Sequence, residues 1–159
     1  VFAYRLSAAG EQVFPRRYES ALTDVLETLV EREGREAVVG ALEARYAALL
    51  RRLPGNLAEL PAEVRLAAVT RLLQEDGFMP GWEGSAEGGT LTEHNCAIRA
   101  VAERFPEICA AEERFLSAAL GASVGLQAHV LDGCSACEYQ VQFTAPVSIG
   151  TSRPQGVNA

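Results

Sequence analysis

The residues best suited to chemistry in this chain are its four cysteines, Cys96, Cys109, Cys134 and Cys137. Cys134 and Cys137 form a C-x-x-C, a spacing that lets both sulfurs reach one ion or act as a redox pair. Cys96 and Cys109 lie in the helix-like stretch EHNCAIRAVAERFPEICAAEE. On one straight helix their thiols would stand about 20 Å apart, at a rise of about 1.5 Å per residue, and on different faces. Pro106 forbids that arrangement, because proline breaks the helix and biases Phe105 away from helical angles. The segment therefore reads as two helices with a corner between them. Cys109 falls in the first turn of the second helix, where unpaired N–H groups and the helix dipole favour a thiolate. Cys96 falls near the start of the first, with Asn95 as its cap. A corner can bring two helix starts within reach of one metal.

Three readings of the cysteines stay open at this level: a shared metal or cluster site, redox thiols, and buried packing residues. Soft thiolates select zinc or iron–sulfur clusters. A structural zinc site usually takes two close-spaced cysteine pairs. Here one pair accompanies two widely spaced cysteines, which leans toward a cluster. His94, two residues before Cys96, and His129, just before DGCSAC, are further candidate ligands. Each competes with an ordinary role, packing for His129 and a backbone hydrogen bond at the hairpin end for His94. Spacing places no Ser/His/Asp set and no carboxylate pair, and there is no phosphate loop, so an enzyme is not expected.

The elements that must position these residues follow from hydrophobic periodicity. FAYRL, 2–6, reads as a short strand, with Ser7 capping the turn that follows. A helix is predicted over 15–33, with Tyr18, Leu22, Val25, Leu26, Leu29 and Val30 at three- and four-residue steps and Gly34 as its end. A second runs over 35–53 and breaks at Pro54. A third, 61–75, is punctuated by Pro61 and Gly77. FMPGWEGSAEGGTLTEHN then reads as a hairpin of two short strands around a Gly-rich centre. Helices resume at Cys96 and again over 106–120. SVGLQAHVL and CEYQVQFTA read as two more strands joined at DGCSAC. The expected class is α+β: long N-terminal helices suited to dimerisation over 7–60, then a small module with antiparallel strands over 61–145 that holds all four cysteines. Residues 146–159 read as a loose polar tail.

Composition bounds the rest. A chain of 159 residues, 48% hydrophobic, can bury a core of its own. No apolar run approaches the roughly 20 residues of a membrane span. The opening VFAYRLSAAG has no initiator Met, basic n-region or apolar h-region, so we expect a cytoplasmic protein whose first residues lie upstream. All 14 basic residues are Arg, in keeping with a GC-rich coding sequence, and the net charge is −7. That charge disfavours the chain itself as a general nucleic-acid surface.

Taken together, YRLSAAGEQVFPRRY, EDGF, EHNCAIRAVAERFPEIC and the H…C-x-Y that ends at Tyr139 resemble the SufR-type regulators. These are winged-helix repressors of bacterial iron–sulfur cluster assembly (suf) operons. The resemblance covers nearly all of residues 1–143, and its most specific part is the spacing of Cys96, Cys109 and Cys137. It implies a homodimer that binds double-stranded operator DNA through a winged helix-turn-helix, of which residues 1–6 would be the last wing strand. It also implies a sensor domain in which Cys96, Cys109 and Cys137 ligate a cluster, commonly [4Fe–4S], with [2Fe–2S] or zinc as alternatives. The fourth position in that family is not cysteine or is left open. This chain departs from the pattern at Cys134 and at HNCA, where HNCP is more usual. Cys134 is thus a candidate fourth ligand, with His94 and His129 as alternatives.

Overall fold

A computed structural model describes residues 18–143. Within them the chain forms α1 (Tyr18–Glu33), α2 (Arg35–Leu50), a 3-10 turn (Leu57–Glu59), α3 (Ala62–Glu75), β1 (Pro80–Gly84) and β2 (Gly88–Glu93). It continues through α4 (Arg99–Arg104), α5 (Glu107–Leu120), β3 (Ala122–Ala128), a second 3-10 turn (Val130–Asp132) and β4 (Cys137–Phe143). The four strands make one antiparallel sheet in the order β1-β2-β4-β3. The fold is α+β, as the periodicity predicts. The strand expected at 2–6, the cap expected at Ser7 and the tail expected at 146–159 lie outside the described residues. No helix among those described is long and apolar enough to cross a membrane.

Each element follows from a local cause. Gly34 separates α1 from α2 with φ 88 and ψ 167, a region that only glycine reaches without strain. Along α2 the residues Val38, Leu42, Tyr46 and Leu49 recur at helical spacing and are all buried. The helix stops at Leu50, a little short of the expected 53. Arg52 and Leu53 close it with tight bonds to the Leu49 and Leu50 carbonyls. β4 alternates cleanly: Cys137, Tyr139 and Val141 point inward, while Glu138, Gln140 and Gln142 face solvent. Of the helices, α5 packs on β3 and α3 on β1, and the outward side of β4 is polar.

The core sits between that inner face and α5. Helix α5 buries Ile108, Ala111, Phe115, Leu116, Ala119 and Leu120, and packs against α2, α3 and β3. Leu26 of α1 and Val38, Leu42 and Tyr46 of α2 belong to the same continuous core as Leu91, Tyr139 and Val141 of the sheet. The N-terminal helices thus share one core with the cysteine-bearing part. Surface pairs Arg35–Glu107, Glu27–Arg104 and Glu43–Arg114 also join α1 and α2 to α4 and α5. Exposed as they are, such pairs contribute little.

One buried polar contact ties the layers together. Glu112 of α5, 4% exposed, accepts a 2.8 Å hydrogen bond from the Tyr46 hydroxyl of α2 and a 3.0 Å bond from the Tyr139 hydroxyl of β4. Arg45, paired to Asp76 beyond α3, adds a nearby positive charge.

The corner at Pro106 forms as the sequence requires, with Phe105 at φ −129 and ψ 74. The start of α4 does not. The helix begins at Arg99 with Ile98 as its cap, and Asn95 lies before it, its amide N–H donating to the Gly77 carbonyl at 3.0 Å. Cys96 therefore lies in a turn before the helix and not in its first turn.

Two substitutions check this account. Gly34→Ala should cost about 1–3 kcal/mol, since alanine must occupy a glycine-only backbone region. Tyr46→Phe should cost about 1–3 kcal/mol by leaving one Glu112 oxygen without its donor. Both are read as shifts of the urea midpoint at constant m-value.

Candidate metal centre

Three elements deliver three cysteines to one region. Cys109 stands at the third position of α5, one turn before Glu112 and on the same side. Cys96 lies in the turn between β2 and α4, and Cys137 opens β4. Cys137 is paired in register with Glu93, the last residue of β2, so the two side chains share the inward face. Electrostatic coupling links the group. Charges on Cys96, Cys137, Glu93 and Glu112 all bear on Cys109, and those on Cys137, Glu112 and Glu93 bear on Cys96.

Burial decides the protonation of these thiols. Desolvation, followed by the neighbouring carboxylates and thiols, pushes Cys109 up to about 12. Cys96 is pushed up to about 11 by burial first, with a backbone hydrogen bond from Ile98 pulling the other way. Cys137 is raised for the same leading reason, opposed by the Val130 N–H, which donates to its Sγ at 3.5 Å. The expectation that the start of α5 makes Cys109 a ready thiolate is therefore corrected. Its own N–H is spent on the Pro106 carbonyl, and desolvation beside two carboxylates outweighs the dipole.

The other sequence candidates sit elsewhere. Cys134 is exposed on the turn before β4, its N–H bonded to the His129 carbonyl at 3.2 Å, and its charge reaches Cys137. His94 is exposed and lies over Gly81 of β1, where a Cβ would come within 3.1 Å of its Nε2. The strand alternation puts it on the face opposite Glu93. His129 faces Asp132, with Nδ1 3.8 Å from Oδ2. Sequence reasoning missed two acidic residues. Glu112 could have been noticed as a charge on the inward stripe of α5 with Cys109, Phe115 and Leu116. Glu93 had no signal beyond standing immediately before HNC.

The donor set can be tested against the group it would hold. Among the described residues, no three Cys, His, Asp or Glu side chains stand close enough together to hold one metal ion. A tetrahedral zinc with Zn–S near 2.3 Å needs its sulfurs within about 3.8 Å of each other. A polynuclear cluster, several atoms across, takes ligands set wider apart. Cys96, Cys109 and Cys137 supply soft ligands from three elements, two of them already accepting backbone N–H bonds of the kind that tune cluster sulfurs. Glu93 adds a fully buried carboxylate whose Oε1 has no hydrogen-bond partner. The set is rich in groups that ionise to anions and fits a thiophilic cationic cluster.

The buried acids give a pH dependence. Burial first, then the Glu112 charge, raises Glu93 to about 9. Burial likewise raises Glu112. Unfolded, a glutamate releases its proton near 4.5. Between that pH and the folded value the native chain binds more protons than the unfolded one, so stability falls as pH rises across the window. Urea midpoints in chelator should drop from about pH 5.5 to about pH 8.5, and Glu93→Gln should flatten the profile. A wild-type midpoint that climbs over that range would refute the reading.

Set against known proteins, the chain matches no family model, no characterised protein and no solved structure.

Proposed function

We propose that the chain is the sensing part of a transcriptional repressor that holds an iron–sulfur cluster through Cys96, Cys109 and Cys137 and controls cluster-assembly genes. The observation that carries this reading is the convergence of three cysteines, far apart in sequence, on one region shared with the buried Glu93 and Glu112, Cys137 buried and Cys96 and Cys109 half-buried. The resemblance to SufR-type regulators, whose most specific part is the spacing of these three cysteines, supports it. When bound, a cluster supplies the response to iron and oxidants. The chain's own residues hold it, shield it and pass its status on.

The route for that signal is short. Cys109 and Glu112 share a turn of α5, and Glu112 is hydrogen-bonded to Tyr46 of α2. A change in how Cys109 is held therefore bears on the packing of the N-terminal helices. On α1 the exposed side chains of Tyr18 (71%), Leu22 (46%) and Val25 (63%) form an apolar stripe, which supports pairing with a second copy. DNA contact falls to a winged helix upstream of this region, in keeping with a net charge of −7. Repression then follows the arrangement that binds the occupied sensor more tightly, since a ligand shifts an equilibrium only by its difference in affinity between states.

Anaerobic reconstitution of the full-length protein, with iron and sulfide analysis and operator binding on the same samples, tests the proposal. Cys96→Ser, Cys109→Ser and Cys137→Ser should each lose most bound iron and sulfide and weaken operator binding. Cys134→Ser should keep both. Zinc without sulfide in protein purified anaerobically, or a Cys96→Ser protein with a full cluster, would overturn it.

A further inference from the structure

Glu93 is the one acidic side chain of the site whose hydrogen bonding is incomplete. It is 1% exposed, and its Oε1 is shut off from solvent with no partner. Native interiors seldom leave a carboxylate oxygen in that condition, because desolvation without a partner costs several kcal/mol. Its neighbour Glu112 makes the contrast. Equally buried, Glu112 has a tyrosine hydroxyl on each oxygen and needs nothing further.

The position of Glu93 says what is missing. It closes β2 directly across from Cys137 and stands three residues before Cys96 in the chain. Its charge bears on all three grouped cysteines. Cys134 is exposed and touches the group through Cys137 alone, and His94 lies on the other face of the strand. Two inward acids stand beside the three cysteines, and of these Glu93 is the one with an oxygen left unpartnered.

We infer that Glu93 is the fourth ligand, making the donor set three thiolates and one carboxylate oxygen. This rests on the reading of Cys96, Cys109 and Cys137 as cluster ligands. Glu93 would bind as the carboxylate, its proton leaving to solvent with those of the thiols. A hard oxygen among soft sulfurs distinguishes one iron from the others and makes it the most readily lost.

The test uses the full-length protein reconstituted anaerobically with ferrous iron and sulfide, followed by Mössbauer spectroscopy and by the rate of iron loss to a chelator. The wild type should show one iron site distinct from the rest. Glu93→Gln should shift the Mössbauer parameters of that distinct site or empty it, and speed iron loss by on the order of tenfold or more, the scale on which supporting ligands act. Glu93→Cys should convert the spectrum to uniform thiolate ligation and slow the loss. Cys134→Ser should change neither. If Glu93→Gln fails to fold, Glu93→Cys carries the same decision, and a spectrum that it leaves unchanged overturns the assignment. A Glu93→Gln protein with wild-type spectrum and iron loss, while the cysteine variants lose the cluster, overturns the assignment and leaves the proposed function standing. Wild-type protein that takes up no iron and sulfide overturns both.

Discussion

The burial of Glu112 between Tyr46 and Tyr139 is the constraint around which the rest of this structure is arranged. A carboxyl group in an apolar core is costly unless its oxygens are paired, and here each oxygen takes one hydroxyl. The three residues come from α2, α5 and β4, so satisfying one charge fixes the distances among the helical arm, the central helix and the sheet. Cys109, Phe115 and Leu116 follow from that placement, because they share the inward side of α5 with Glu112. The centre and the scaffold are two parts of one packing problem.

The same burial that makes the scaffold rigid sets the chemistry of the cysteines. Cys96, Cys109 and Cys137 are held as thiols, with pKa values raised by desolvation and by the acids beside them. A thiol of that kind is a poor nucleophile and a poor redox switch at neutral pH. It becomes a thiolate when a cation replaces the proton, and the backbone N–H groups of Ile98 and Val130 are already in place to stabilise the sulfur that results. Cys134, exposed on its turn, belongs to a different environment. The two thiols of the C-x-x-C thus differ in exposure, Cys134 open to solvent and Cys137 buried.

Much of the scaffold was legible in the chain. Apolar spacing located α2 and α3, alternation located β4, and Gly34, Pro61 and Pro106 marked the boundaries, because these signals act through local sterics. Pro106 also established that Cys96 and Cys109 need not lie on one straight helix. Where tertiary contacts compete with local preference, sequence reasoning went astray. Asn95 serves the Gly77 carbonyl and not a helix start, and Cys109 answers to burial and not to the dipole.

By itself the sequence determined the α+β class, the order of the elements and the corner at Pro106. Those follow from backbone sterics and from hydrophobic periodicity, which act over a few residues. Only the tertiary structure decided which acids stand beside the thiols, that Cys134 is exposed while Cys137 is buried, and that Glu93 faces Cys137 with an oxygen unpaired. Pairing across strands and the local dielectric are properties of residues distant in the chain. No window of sequence contains them.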